Sequence, residues 1–313
     1  MSIETPSITR GDIAPATSST VALVAPGRRF RPRPAGRARR SAGTVLLHTV
    51  LILAGIGMVF PFIWMLLTSL KTLPQLLKDP LSLLPSPATL DNYVKAWQAV
   101  PFAQAYLNSA YITVLVVVGT LITASMAGYA FARIRFRGSR VLFIVFLATQ
   151  MIPAQVTLIP FYLLMTQIGW VDSHLALIVP GMIANPFAVF LMRQFVLALP
   201  KELEEAALVD GAGRWRIFWS VILPNLTPGL AALAIITAIG VWNSFLFPLV
   251  LLNTPDLFTV PLLLTAFQGQ FGSVNYGLVM AASAISTVPM LIVFVIGQRR
   301  ILNSMAASGL GGR

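Results

Sequence analysis

Six stretches of this chain carry no Asp, Glu, Lys or Arg, apart from arginine at their ends. They fall at roughly residues 45–70, 107–132, 141–166, 173–193, 225–252 and 274–298. Each is about twenty residues or longer, enough to cross the hydrocarbon core of a bilayer as a helix. In hydrocarbon a helix is the local structure that satisfies its own backbone, so the period of the side chains matters less than their length and polarity. The chain is 57% hydrophobic and 10% charged, where a soluble domain carries about a quarter charged residues. The expected fold class is therefore all-α, a polytopic membrane helix bundle of six transmembrane helices. Prolines inside the runs (Pro61, Pro153, Pro160, Pro180, Pro186, Pro248 and Pro289) are expected to kink spans for packing.

An even number of spans returns both ends to one side. Of 22 Lys and Arg, all but Lys71, Lys78 and Lys95 fall on that side. They lie before residue 41, in the 133–140 link, in the 193–224 loop and at Arg299, Arg300 and Arg313. The positive-inside rule makes the crowded side cytoplasmic, with both termini there. A net charge of +12 could suggest nucleic acid, but basic residues beside apolar spans mark topology, and the expected contact is membrane lipid. Residues 1–43, rich in Ser, Thr, Pro, Gly and Arg, read as a disordered basic tail. Residues 44–106 hold the first span and an outer segment that is long enough to form a small cap. The span core occupies 107–298, with a cytoplasmic loop at 199–224, and 299–313 form a second tail.

The spans exclude several functions. Ion-coupled carriers and channels place ionisable groups or rings of charge in the membrane, and none is present. An ion-coupled secondary carrier is the alternative of a different class. There is no cysteine, and His48 and His174 stand outside any metal-ligand spacing, so no metal or cofactor is expected. No GxxxxGK[ST] loop occurs, so an ATPase would be another polypeptide. No catalytic constellation appears. Uncharged polar groups do occur in the spans. Asn108, Gln150, Trp242 and Asn243 are the candidate solute path, since amides and aromatics suit a neutral hydroxylated solute.

The loop holds the most specific pattern. Leu199-Pro200-Lys201-Glu202-Leu203-Glu204-Glu205-Ala206-Ala207-Leu208-Val209-Asp210-Gly211 reads as a short helix. Pro200 suits a first turn, the glutamates suit the positive end of the dipole, and Gly211 or Gly213 suits a left-handed stop. Leu203, Ala206, Ala207 and Asp210 share one face, which would admit close approach of another protein. A second helical run, Trp215 to Leu223, ends at Pro224.

The spacing Glu205-Ala206-Ala207, Gly211, Val221, Leu223-Pro224 resembles the E-A-A-x3-G-x9-I-x-L-P loop of permeases in binding-protein-dependent ABC importers, with Val221 in place of Ile. Asn92-Tyr93, Asn108-Ser109, Ala127-Gly128-Tyr129-Ala130-Phe131-Ala132-Arg133, Met151-Ile152-Pro153, Ile159-Pro160 and Trp242-Asn243 resemble the carbohydrate-uptake branch, especially its maltose-type second permease. The similarity covers roughly 45–305. It implies the type I ABC importer permease fold in a bacterial inner membrane. It also implies a second permease subunit, two cytoplasmic ATP-binding subunits and an extracytoplasmic solute-binding protein. On that resemblance Glu205 pairs with the ATPase, Ala206 and Ala207 form the contact face, Gly211 makes the turn, Asp210 caps or pairs, and Leu223-Pro224 make the re-entry. The solute would be a sugar or oligosaccharide, with glycerol phosphate or a polyol as the alternative within the class.

Overall fold

The computed structural model describes residues 37–183, 185–268 and 275–310, and side chains at 44–183, 185–267 and 275–296. All regular elements among them are helical. Helix α1 (Arg37–Ser69) is followed by two short helices, α2 (Leu73–Lys78) and α3 (Asp91–Ala99). Next come α4 (Phe102–Arg133), α5 (Ser139–Ala148), α6 (Ala154–Gln167), α7 (Leu175–Ile183) and α8 (Pro186–Ala198). The loop contributes α9 (Glu202–Val209), α10 (Arg214–Ile217), a π-helical turn Phe218–Ile222 and α11 (Leu223–Asn225). The chain then runs through α12 (Thr227–Trp242), α13 (Leu246–Leu251), α14 (Val260–Leu263) and α15 (Tyr276–Leu310).

Four segments are single spans by length and polarity: Thr44–Ser69, Phe102–Arg133, Leu175–Ala198 and Tyr276–Ile296. Two more are bent pairs, Ser139–Met151 with Ala154–Gln167 at 98° and Arg214–Asn225 with Thr227–Trp242 at 76°. Counting each pair once gives up to six, but the second pair takes in Arg214–Asn225 of the loop and not the 246–252 end of the expected fifth run. The chain divides by compactness at residue 56. In α1 every residue from Thr44 to Ile63 is exposed, and that apolar surface suits lipid. Helix α1 takes in residues 37–43, and the backbone of α15 passes Arg299 and Arg300 to Leu310. Helix thus continues into both segments read as tails, while residues 1–36 and 311–313 lie outside the described residues.

Proline sets where the apolar runs break. The third run, expected as one stretch at 141–166, turns at Ile152-Pro153. Ile152 is extended at φ −81°, ψ 117°, as a residue preceding proline prefers, and Pro153 becomes the N-cap of α6. The fifth run, expected at 225–252, stops at Trp242 and restarts at Leu246. Pro248 then sits in the first turn of α13, where its missing N–H costs nothing. Helix α4 is 32 residues long, about 48 Å at 1.5 Å per residue. That is longer than a hydrocarbon core of about 30 Å.

Two clusters of buried side chains lie towards opposite ends of α4. One joins Ala124 and Tyr129 of α4 to Ala188, Val189, Met192 and Val196 of α8 and to Ile217, Phe218 and Ile222 of the loop. The other joins Phe102 and Ala105 to Trp242, Val260, Leu263, Ala281 and Ala282. Small residues permit the close approaches, as in other membrane bundles. A Cβ on Gly128 would lie 2.8 Å from the backbone nitrogen of Arg193 and 2.9 Å from Met192 Cβ.

The 71–106 segment, expected as an outer cap, is tied down by its own hydrogen bonds. Asn92 Nδ2 donates to the carbonyls of Ser69 and Lys71, both at 2.8 Å. Lys71 is wholly buried, donates to the Ser82 carbonyl and lies 5.0 Å from the Trp64 ring.

Two further outer loops are clamped by Asp172, which holds a left-handed φ of 57°, a region Asp tolerates better than most residues. Its Oδ1 accepts the Asn253 and Thr254 amides at 2.8 and 2.9 Å, and its Oδ2 accepts the Thr254 hydroxyl at 2.5 Å. The Thr254 hydroxyl first, then the amides of Thr254 and Asn253, hold this carboxyl below its ordinary range. A depressed native pKa means that the clamp's contribution is complete above the unfolded value of about 3.9 and is lost as pH falls through the native value. Hydrogen-exchange protection of the Asn253 and Thr254 amides is expected to be constant from neutral pH down to about 5 and to vanish at lower pH. Asp172→Ala should lack it throughout.

Candidate functional site

Helix α9 begins at Glu202 with Lys201 as its N-cap, so Pro200, read into the first turn, precedes it; its stop is as the sequence dictates. Glu202, Glu204 and Glu205 occupy its first turn, complementing the partial positive charge there. It ends at Asp210, whose amide bonds the Ala206 carbonyl, and Gly211 follows at φ +78°. Gly213, the other candidate for that turn, is ordinary at φ −72°. The amide of Ala212 closes back on the Ala207 carbonyl at 2.9 Å, satisfying an orphaned carbonyl.

The second half of the loop belongs to the bundle. Ile217 and Ile222 are 0% exposed and Phe218 2%. The π turn of Phe218–Ile222 re-phases the helix, so these side chains reach α8 while Trp215 and Trp219 face outward, 63% and 40% exposed. Pro224, expected to end the run, instead lies in the first turn of α11. Leu223 is half-buried against the cluster.

Helix α9 is held differently. Glu202, Leu203, Glu205, Ala206, Leu208 and Val209 are exposed, Ala207 is half-buried, and Glu204 alone is buried. Of the face read as outward, Ala207 therefore turns partly inward against the cluster. The Glu204 carboxylate meets Arg133 Nε at 2.8 Å, Arg214 Nη1 at 3.5 Å and the Tyr129 hydroxyl at 3.4 Å. Arg133 Nη2 also donates to the Val196 and Leu199 carbonyls, at 3.0 and 2.5 Å. Both carbonyls lie at the end of α8, where Val196 also accepts the Leu199 amide at 3.2 Å. Beside the pair a crevice of about 640 Å³ opens between the 131–139 link and α9, with Arg135, Lys201, Glu205 and Arg214 in its walls. Sequence reading assigned Glu204 only a dipole role. The signal available was its i, i+3 spacing with Ala207, which also turns inward.

The four residues named for a solute path are used in two ways. Asn108 is buried, donates to the Asp256 and Phe258 carbonyls at 2.8 and 3.0 Å, and so fastens α4 to the loop before α14. Trp242 is buried against Tyr106, ring centroids 5.8 Å apart. Gln150 is exposed at the break before α6, and Asn243 is exposed with its amide donating to the Ile239 carbonyl at 2.8 Å. A separate cavity of about 360 Å³ lies among α4, α7 and α12, with Val116, Gly181, Gly240, Ser244 and Thr259 among its walls.

Comparison with known proteins places this geometry. A model of the family described as "Binding-protein-dependent transport system inner membrane component" matches residues 119–306. The chain is 36% identical over 257 residues to an arabinooligosaccharides transport system permease protein, AraQ, of Halalkalibacterium halodurans. That alignment takes in 81% of this chain and 91% of the relative. It is 35% identical over 272 residues to a trehalose/maltose transport system permease protein, MalG, of Thermococcus litoralis, covering 86% and 97%. Among solved structures, a chain of a bacterial ABC transporter that imports the acidic polysaccharide alginate superposes with TM-score 0.75. The identity is 25%, over 86% of this chain and 99% of that one.

Proposed function

The chain belongs to the binding-protein-dependent transport system inner membrane component family, and from that premise we propose that it is a permease subunit of a sugar or oligosaccharide importer whose basic-side loop seats a separate ATPase. The observation that carries the docking reading is the two-faced loop. Ile217, Phe218 and Ile222 are built into the bundle, while Glu205, Ala206, Val209, Trp215 and Trp219 are offered outward. A face of acids beside apolar and aromatic side chains suits a protein partner with a basic rim.

In this reading the loop side is cytoplasmic, as are both termini. Two ATP-binding subunits hydrolyse ATP, a second permease completes the translocation path, and an external solute-binding protein delivers the solute. Closure of the ATPases pushes α9 to α11, and the push reaches the spans because the loop is packed into them. Uncharged spans favour a neutral solute. Gln150 and Asn243 remain open to it, while Asn108 and Trp242 shape the path from behind.

Glu205→Arg is expected to reverse the charge of the docking face without touching the core. Gly211→Asp forces a side chain into a left-handed turn whose Cβ otherwise meets open space. Strain there, about 1 kcal/mol, re-aims α9 rather than unfolding the chain. Both variants should insert normally yet lose uptake by roughly tenfold or more, the scale of a lost coupling free energy. Wild-type uptake in either would overturn the docking assignment.

A further inference from the structure

Among the described residues Glu204 is the only buried acid. A carboxylate is retained out of water only against partners, and all of its partners lie on other elements. Tyr129 and Arg133 belong to α4 and Arg214 to α10. Arg133, its side chain 6% exposed, grips the carbonyls at the end of α8 as well. Little else holds α9. The fully buried apolar anchors of the loop come after Gly213; before it, from Glu202 on, only Ala207 and Ala212 are half-buried against the cluster.

We infer that the Glu204–Arg133 pair is the strut that makes α9 one rigid body with the ends of α4 and α8, so that a displacement imposed on α9 is delivered to two spans together. Glu204 and Arg133 are positioning residues for coupling and do not touch the partner. The strut rests on the docking reading for its purpose. Its mechanical content, a fixed distance, stands apart from that reading. Arg133 suits the task because Nη2 donates to the carbonyls while Nε stands 2.8 Å from the carboxylate as an ion-pair contact, not a directed hydrogen bond, a reach that lysine's single ammonium does not have.

The test uses the assembled transporter in proteoliposomes. The chain has no native cysteine, so spin labels go to cysteines introduced at Ile134, the residue after α4, and at Glu202, both exposed. The strut predicts one narrow distance, the same without nucleotide and with ATP trapped by vanadate. In Glu204→Ala, which leaves Arg133 no acceptor on α9, that single distance is expected to be lost and to become nucleotide-dependent, with the ATPase subunits still co-purifying. A distance that shifts with nucleotide in the unmutated strut overturns the inference, and needs no variant to fold. So does a single nucleotide-independent distance in the Arg133→Met/Glu204→Met double variant, since apolar packing would then suffice. Failure of the docking reading registers elsewhere, as wild-type uptake in Glu205→Arg, whatever the spin-label distance does.

Discussion

Arg133→Ala is expected to be the most destabilising single truncation on the loop side, by about 3–5 kcal/mol. The cost arises from what remains. Glu204 stays 7% exposed in its side chain, with its charge uncompensated, because Arg214 stands 3.5 Å away and is itself 54% exposed. The Leu199 carbonyl loses its Arg133 donor at the same time, while Val196 keeps the Leu199 amide. Glu204→Gln should cost less, since a neutral amide still offers Arg133 an acceptor. Arg214→Ala should stay within about 0.5 kcal/mol, as exposed pairs usually do. The measurement is the temperature at which half of the detergent-extracted protein loses its monodisperse peak. Equal temperatures for Arg133→Ala and Arg214→Ala would refute the ranking, and with it the claim that burial decides the value of the pair.

Gly128→Val should follow closely, at about 3 kcal/mol. The first added carbon meets the Arg193 backbone nitrogen at 2.8 Å. Backbone cannot swing aside, so α4 and α8 must separate. Separation also pulls Val196 and Leu199 from Arg133, so packing and polar losses are coupled. Gly119 offers an internal comparison. An added carbon there lies 2.4 Å from Met182 Cγ and 2.6 Å from its Cβ, which is fixed to the backbone, so Gly119→Val should cost about as much. Gly55→Val meets nothing within 4 Å and should be near neutral. Gly128→Val as stable as Gly55→Val would mean that α4 and α8 do not meet at this glycine.

The number of spans and the presence of the loop helix were legible because length and charge report the solvent of a segment directly. The path of a span was less so. The runs at 141–166 and 225–252 are continuous in composition, yet they break at Pro153 and before Pro248. Proline constrains its own position and the one before it, and hydropathy is blind to that. Burial was harder still. Lipid and protein interior are both apolar, so nothing in the composition separates exposed Ile63 from buried Ile112. Asn108 and Trp242 were read as facing solute because polar atoms in a span need partners. Asn108 instead donates to the carbonyls of Asp256 and Phe258, and Trp242 packs its ring at a tilt against Tyr106, far along the chain. Glu204 and Glu205 are neighbours of one type, and only tertiary placement tells the buried brace from the exposed contact.

The reach of Arg133 also bears on how the chain is made. Translation produces Arg133 well before Glu204, with the α5–α6 and α7–α8 crossings still to come. In that interval its charge has no Glu204 carboxylate to meet, and a basic residue at the end of a span is of the kind that sets orientation. Once α9 emerges, the same guanidinium is withdrawn from water and committed to the finished bundle. An orientation signal is thus consumed as a structural part. The moment at which Arg133 becomes inaccessible marks the point in biogenesis when the loop side of the protein has closed.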